Sequence, residues 1–176
     1  MTAAAFVTPA KWPHQLVQYG APETYRLAAA WLKDCQTIAD WGGAAGFFGS
    51  FLEHGRDYTV VDGTEQADVF APRVLANLTE YRAPSDGILL RHVLDNTPDW
   101  QPILANALAA FRRRMVIVTF TPDAPVTRRI DRKNGWPIWT FNPDDLRRAI
   151  GPCLVRDEAV PTTHPERVYY LEKPCA

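Results

Sequence analysis

A glycine turn between two apolar segments is the part of this sequence with the clearest chemical meaning. The run Gly42-Gly43-Ala44-Ala45-Gly46 follows the short apolar segment 37–41, and Asp62 ends the next such segment, 58–61. Glycines let backbone N–H groups approach a ligand closely, and an acid at the end of the following strand can hold the two hydroxyls of a ribose. The pattern predicts a site for a ligand that contains a nucleoside.

The spacing of these glycines distinguishes two classes of nucleoside ligand. The dinucleotide pattern Gly-x-Gly-x-x-Gly fails, because the frame that starts at Gly42 continues with Ala44 and Phe47. The pattern acid-x-Gly-x-Gly-x-Gly, typical of S-adenosylmethionine (SAM) sites, reads Asp40, Gly42, Ala44, Gly46, with alanine at the middle glycine. The spacing therefore favours SAM over a nicotinamide dinucleotide and argues against an oxidoreductase.

Helices and strands alternate along the chain. Periodicity and capping residues predict helices over 22–34, 47–54, 65–71, 100–113 and 143–150, the last with Asn142 as N-cap. Strands are predicted over 37–41, 58–61, 88–90, 115–120, 153–155 and 167–171, with a turn at 84–87, and also over 73–78, where a helix is the alternative. This alternation predicts an α/β fold with a mostly parallel sheet covered on both faces. The segment 158–165 is too short for a crossover helix, so we expect the last two strands to be antiparallel.

Several stretches resemble the class I SAM-dependent methyltransferases, over nearly the whole chain. They are IADWGGAAGFFG, YTVVDGT, SDGILLRHVLDNTPDWQPILANALAAF, WTFNPDDLRRAIG, CLVRDE and ERVYYLEKP. The resemblance implies a Rossmann-like, doubly wound seven-stranded sheet of order 3-2-1-4-5-7-6 with an antiparallel last strand. It also implies methyl transfer from SAM, carried out by one domain over residues 1–176 whose segment 1–34 contributes to the acceptor side.

The same resemblance implies roles for individual residues in cofactor binding. Those expected against the methionine part of SAM are Asp40, Gly42, Gly43 and Gly46. Asp62 is expected to hold the ribose, and Asn77 or Leu78 to border the adenine, although a solvated loop position is the alternative for Asn77. Arg91 and His92, at the end of the fourth strand, are expected beside the transferred methyl group.

Catalysis and acceptor binding are predicted from residue chemistry. His92 is the candidate general base, because an unperturbed histidine titrates near pH 6.5, and a structural ring packed beside the cofactor is the alternative. Asp95 and Asn96 could shape the same site, but we expect them to cap the helix that begins near Pro98. An aromatic acceptor pocket is expected from Trp12, Tyr19, Trp136 and Trp139, some of which core packing would explain equally well.

Positive charge is concentrated between Arg112 and Lys133, although the net charge of the chain is only −1. Within the loop 121–140, Arg128 and Arg129 predict an anionic acceptor, with Arg132 and Lys133 close behind them in the sequence. A solvated loop without a ligand is the alternative, since charge runs are usually solvated.

Other classes of function find less support in the sequence. Neither a Pro-Pro-aromatic signature nor a Pro-Cys pair follows the fourth strand, and the chain is less basic than most nucleic-acid binders, which argues against methylation of DNA bases. The three cysteines form no CxxC pair, so no metal site is expected. Without a signal sequence or a span of about 20 apolar residues, we expect a cytoplasmic protein with a small-molecule acceptor. A non-catalytic SAM-fold partner subunit or ligand sensor is the alternative.

Overall fold

The computed structural model describes residues 22–64, 71–120, 123–131, 137–161 and 165–174. Within these residues the helices are α1 (Pro22–Leu32), α2 (Trp100–Ala110) and α3 (Pro143–Ile150). The strands are β1 (Thr37–Trp41), β2 (Asp57–Asp62), β3 (Arg73–Leu75), β4 (Ser85–Arg91), β5 (Phe111–Thr119), β6 (Arg128–Asp131), β7 (Pro137–Thr140), β8 (Leu154–Val160) and β9 (Glu166–Glu172). Short 3₁₀ helices cover Phe47–Phe51, Leu94–Asn96 and Gly151–Cys153.

Seven strands form one sheet in the order β3-β2-β1-β4-β5-β9-β8, and β6 pairs with β7 in a separate hairpin. Neighbouring strands from β3 to β5 are parallel, whereas β9 runs antiparallel to both β5 and β8. This confirms the predicted order 3-2-1-4-5-7-6. The last two strands are numbered β8 and β9 here because the hairpin strands β6 and β7 precede them in the chain. The carboxyl ends of β1, β2, β4 and β5 therefore meet at one edge of the sheet, and β9 begins there.

Both faces of the sheet are covered by apolar layers, because successive strand residues point to opposite sides. In β4, Ile88 and Leu90 pack with α2 and α3, whereas Leu89 packs with α1. All three side chains are completely buried, as expected for a parallel strand in the middle of a covered sheet. None of the helices in the described ranges has the length and apolar character needed to cross a membrane.

The segment after the glycine turn differs from the prediction. A helix over 47–54 was expected, but only the five-residue 3₁₀ helix Phe47–Phe51 forms. Phe47, Phe48 and Phe51 pack on Tyr25 with ring centroids 5.5, 6.1 and 5.2 Å away. A Cβ at Gly49 would lie 2.8 Å from the Tyr58 ring. These tertiary contacts hold the segment flat on the sheet, and they override its helical pattern.

The expected turn at 84–87 is also wrong, because β4 already starts at Ser85. The Ser85 hydroxyl donates to the Thr37 carbonyl at 2.9 Å, and the Asp86 N–H donates to the Thr37 hydroxyl at 2.8 Å. These bonds to β1 replace the hydrogen bonds of a turn. Helix α2 ends at Ala110 rather than 113, since the following arginines extend β5, where Arg114 bonds Asp34 at 2.9 Å.

The remaining boundaries lie close to the predictions. The weakly indicated strand over 73–78 exists as Arg73–Leu75, and helix α3 has its expected cap, with Asn142 Oδ1 accepting from the Asp144 N–H at 2.8 Å. The predicted helix over 65–71 falls mostly on residues 65–70, outside the described residues. The hairpin β6–β7 was not predicted, because its strands are short and rich in arginine.

Candidate active site

The glycine turn after β1 is built from left-handed backbone. Gly42, Ala44 and Gly46 have φ values of 73°, 48° and 81°. The Gly42 N–H donates to the Val61 carbonyl at 2.7 Å, which fixes the start of the turn against β2. Ala44 replaces the middle glycine of the SAM pattern and tolerates this conformation at a cost of roughly 1 kcal/mol.

Each glycine of the turn packs against protein where a side chain would clash. A Cβ at Gly42 would lie 2.5 Å from Val93 Cγ2, one at Gly43 would lie 2.5 Å from the Asp40 carboxyl group, and one at Gly46 would lie 2.9 Å from Val60. Side chains of the protein therefore pack closely against the turn.

Asp40 supports this turn from inside the protein. Its carboxylate accepts a hydrogen bond of 2.7 Å from the Tyr58 hydroxyl. Burial raises the pKa of Asp40 to about 7, although the Tyr58 bond acts in the opposite direction. The predicted contact between Asp40 and the methionine part of SAM stays a prediction, and the contact that the structure provides is with Tyr58 and Gly43.

Asp62 connects the end of β2 to the glycine turn. Its Oδ2 accepts from the Ala44 N–H at 3.0 Å and its Oδ1 from the Thr64 N–H at 2.9 Å, while Arg73 Nη2 lies 3.9 Å from Oδ1. A carboxylate oxygen has two lone pairs, so both oxygens can still accept from a ligand hydroxyl. The geometry fits a ribose, with the carboxylate oriented before the ligand arrives.

Helix geometry limits which ligand this turn can hold. Dinucleotide pyrophosphates bind at the N-terminus of an α-helix, whose aligned dipoles and free N–H groups favour the anion. Here the turn leads into one five-residue 3₁₀ helix, Phe47–Phe51. The turn therefore suits a nucleoside ligand that carries no phosphate.

Asn77 and Leu78 lie just beyond β3, at the same sheet edge as Asp62. The Asn77 side chain accepts from the Thr79 N–H at 3.1 Å and from the Thr79 hydroxyl at 2.9 Å, which makes it a local turn residue. Leu78 is buried, and its carbonyl accepts from Asn106 of α2 at 3.1 Å. Of the two, Leu78 offers apolar surface and Asn77 stabilises the loop.

Arg91, at the end of β4, is surrounded by protein groups. Its guanidinium donates to the Thr24 and Tyr25 hydroxyls at 3.2 and 3.1 Å and to Glu166 Oε1 at 2.9 Å. The same group lies 4.1 Å from the centre of the Tyr25 ring. Arg91 thus ties the first turn of α1 to the end of β4.

His92 is held equally firmly. Its φ of 57° is unusual for a residue other than glycine, its Nε2 lies 2.7 Å from Glu166 Oε1, and its ring stacks on Phe120 at 3.4 Å. Burial lowers the pKa of His92 to about 4, although Glu166 acts to raise it. With this pKa the ring is neutral at pH 7. These contacts favour the structural alternative, and the general-base role stays a prediction.

Glu166 is the residue that sequence reasoning missed. It begins β9, is 1% exposed, and its Oε1 lies within 3 Å of both Arg91 and His92. Burial raises its pKa, but the His92 hydrogen bond and the Arg91 charge outweigh burial, and the pKa is lowered overall. The antiparallel direction of β9 was the only signal that could have placed Glu166 at this edge.

The expectation that Asp95 and Asn96 cap α2 is wrong. Asp95 accepts from the Phe120 N–H at 2.7 Å, and the Asn96 amide donates to the His92 carbonyl at 2.9 Å. The left-handed turn at His92 removes its carbonyl from the sheet, and these two side chains replace the missing partners. Asp99 is the residue at the N-cap, without a side-chain bond.

The acceptor side is described only in part. Trp12, Tyr19, Trp136 and the predicted cations Arg132 and Lys133 lie outside the described residues. Arg128 and Arg129 of β6 are exposed, and β7 packs against the segment 94–96. Arg129 lies opposite Trp139 in the hairpin, whereas Arg128 lies opposite Thr140. Opposed residues share a face, so Arg129 is on the face of the hairpin that carries Trp139.

Comparison with known proteins adds information at the level of the fold. No protein-family profile matches the chain, and no curated protein matches its sequence. Among solved structures, 1,6-didemethyltoxoflavin-N1-methyltransferase of Burkholderia thailandensis, with bound 1,6-didemethyltoxoflavin and S-adenosylhomocysteine, superimposes with a TM-score of 0.70 and 24% identity, covering 85% of this chain and 77% of that one.

Two further structures have the same architecture. The N-methyltransferase NodS of Bradyrhizobium japonicum WM9, in complex with S-adenosylhomocysteine, has a TM-score of 0.62 at 14% identity, covering 87% of each chain. Magnesium protoporphyrin IX methyltransferase of Synechocystis PCC 6803, with bound S-adenosylhomocysteine, has a TM-score of 0.67 at 14% identity, covering 86% of this chain and 82% of that one. The chain therefore has the fold of the class I SAM-dependent methyltransferases.

Proposed function

We propose that this protein is a SAM-dependent methyltransferase that acts on a small molecule. The observation that carries the proposal is the glycine turn closed by Asp62, whose carboxylate is fixed by the Ala44 and Thr64 N–H groups at the carboxyl edge of the sheet. Ligands of open α/β sheets bind at this edge. The superimposed methyltransferases with bound S-adenosylhomocysteine support the same ligand class.

The described residues fit SAM. Gly42, Gly43 and Gly46, supported by Asp40, would lie along its methionine part, Asp62 would hold the ribose, and Leu78 would border the adenine. SAM has no phosphate, so the absence of an α-helix after the turn does not weaken its binding. When bound, SAM supplies a methyl group that its sulfonium already activates.

The chemistry left to the protein is to orient the acceptor and to accept its proton. Much of the rate can come from holding the acceptor in line with the methyl group, because the donor is already activated. We place the acceptor beside the turn that follows β4, with the hairpin β6–β7 over it. An anionic group on the acceptor would bind Arg129, which shares a hairpin face with Trp139, more directly than Arg128.

Calorimetry with SAM and S-adenosylhomocysteine tests the proposal. We expect one ligand per chain and a loss of about 2–3 kcal/mol in Asp62→Ala, since two charge-assisted hydrogen bonds disappear. Asp57→Ala, at the opposite end of β2, is the matched control and should bind normally. A protein that binds neither ligand contradicts the proposal.

Methyl transfer itself is tested with labelled SAM and a panel of small-molecule acceptors. Incorporation of label into any acceptor, abolished in Asp62→Ala, supports an enzyme. Tight binding of S-adenosylhomocysteine without transfer to any acceptor would instead indicate the non-catalytic ligand-binding alternative.

A further inference from the structure

Three buried polar atoms without a partner surround the segment that follows β4. In the described part of the chain, Asp95 Oδ1 and the indole nitrogens of Trp100 and Trp139 are shielded from solvent and have no hydrogen-bond partner. The Trp100 and Trp139 rings contact each other edge to face at 6.3 Å, and β7, which carries Trp139, packs against the segment 94–96. The three residues therefore form one neighbourhood, named here the Asp95 cluster.

Such a cluster is costly in a protein that binds nothing there. A buried polar group left without a partner costs about 1–3 kcal/mol, and native proteins contain few of them. Here Asp95 Oδ1 is an acceptor without a donor, and the two indole N–H groups are donors without an acceptor. A ligand that offers both a donor and an acceptor would satisfy them.

The cluster lies beside the proposed cofactor site. The other oxygen of Asp95 accepts from the Phe120 N–H at 2.7 Å, so its carboxylate caps the end of β5. Two residues before Asp95, the Val93 side chain packs against Gly42 of the glycine turn. A ligand on Asp95 would thus lie at the carboxyl ends of β4 and β5, next to the turn expected to hold SAM.

We propose that the Asp95 cluster binds the methyl acceptor, a planar nitrogen heterocycle with an N–H beside a carbonyl group. Asp95 Oδ1 would accept from that N–H, the indole N–H of Trp139 would donate to the carbonyl, and the aromatic rings would pack on the heterocycle. This inference rests on the proposed function, because the acceptor is defined by methyl transfer.

The same contact makes Asp95 the catalytic base. As the acceptor nitrogen forms its bond to the methyl carbon, the carbon–sulfur bond of SAM breaks, and the N–H proton moves to Asp95 Oδ1. Asp95 later releases this proton to solvent. The products are the N-methylated heterocycle, S-adenosylhomocysteine and one proton, so atoms and charge balance.

The surroundings of Asp95 set the pH at which it can act. Burial raises its pKa to about 7, opposed by the Phe120 N–H, by its own backbone N–H and by the positive charge of Arg91 from β4, while Glu166 from β9 raises it further. His92, stacked on Phe120, is neutral in this range. We therefore expect the rate to rise with pH up to about 7 and then to level off.

The binding experiment uses lumazine (pteridine-2,4-dione) as probe and protein saturated with S-adenosylhomocysteine. Calorimetry should show that Asp95→Asn and Trp139→Phe each raise the lumazine Kd by about tenfold, the expected loss of one buried hydrogen bond. 1,3-Dimethyllumazine, which lacks the N–H groups, should bind the wild type as weakly as lumazine binds Asp95→Asn. Trp31→Phe is the matched control, because the Trp31 indole already donates to the Leu171 carbonyl at 3.1 Å.

Stability separates the two tryptophan variants. Trp31→Phe should lose thermal stability and keep its lumazine affinity, whereas Trp139→Phe should lose affinity. For any heterocycle that accepts label, Asp95→Asn should lower kcat by about a hundredfold or more and abolish the rise of rate with pH. It should keep its affinity for S-adenosylhomocysteine.

Two results would overturn the inference. The first is that lumazine, uracil and xanthine all fail to bind protein that does bind S-adenosylhomocysteine. The second is that Asp95→Asn keeps the wild-type affinity and pH profile. Failure to bind S-adenosylhomocysteine at all would instead contradict the proposed function.

Discussion

The edge of the sheet at which the parallel strands end has two halves that consist of different chemical groups. Around β1 and β2, it consists of the glycine turn and one carboxylate, Asp62, which accepts from the Ala44 N–H. Around β4, β5 and β9, the edge consists of buried side chains, where Arg91 and His92 both contact Glu166. Backbone can hold a ligand that never changes, whereas side chains can be exchanged to suit one acceptor. Under the proposed function, the first half would bind the cosubstrate and the second would determine acceptor specificity.

The largest effect is expected from removing a charge in the half that contains Arg91, His92 and Glu166. Glu166→Ala leaves Arg91 buried without its carboxylate, and removal of one partner from a buried pair costs about 3–5 kcal/mol. Chemical denaturation should show this loss in the free energy of unfolding. Glu172→Ala, which removes an exposed partner of Arg114, should cost less than about 1 kcal/mol. Equal losses in both variants would contradict the importance of burial at Glu166.

The half formed by the glycine turn and Asp62 is tested at Gly42. Gly42→Ala adds a Cβ 2.5 Å from Val93 Cγ2 at a φ of 73°, so strain and overpacking together should cost about 3 kcal/mol. SAM affinity should fall as well, because the turn must shift. Gly55 has a similar φ of 87°, but an added Cβ there would meet open space. Gly55→Ala therefore measures the cost of backbone strain without the clash. If both variants unfold at the same denaturant concentration, close packing on Val93 is not what requires glycine.

His92 makes the free energy of unfolding depend on pH. Its pKa in the folded protein is about 4, below the value near 6.5 in the unfolded chain, so between these values the unfolded state binds more protons. Stability from His92 is therefore complete above pH 6.5 and is lost as pH falls toward 4. Relative to His92→Asn, the wild type should lose about 2 kcal/mol between pH 8 and pH 5. Comparison with the variant cancels the opposite contributions of Asp40 and Asp95.

The smallest effect concerns the hairpin. Arg129→Ala should raise the KM of an anionic acceptor several-fold, corresponding to about 1 kcal/mol for an exposed charge, and the effect should shrink at high salt. Arg128→Ala, on the opposite hairpin face, is the control and should change KM less. Steady-state kinetics at low and high salt measures both. A neutral acceptor, or unchanged KM in both variants, would remove the anionic acceptor from the proposal.

Features contained in one contiguous stretch were predicted well from the sequence. The glycine turn, Asp62 and the capped helix α3 depend on residues a few positions apart or on adjacent strands, and local propensity agrees with the fold there. The antiparallel β9 followed from the shortness of the segment before it. The segment Phe47–Phe51 was mispredicted because its phenylalanines pack on Tyr25, and periodicity cannot register such a partner.

Only the tertiary structure decided the content of the other half. The contact between His92, just after β4, and Glu166 of β9 connects two strands that both pair with β5, so it exists only once the sheet has formed. The same closure brings Trp139 of β7 against the segment 94–96 and leaves Asp95 Oδ1 without a partner. The spacing of the glycines determined that a left-handed turn follows β1, because a turn depends on residues that are close together in the chain. Burial and charge at the acceptor side are properties of the packed sheet, and they arise from contacts between residues far apart in the chain.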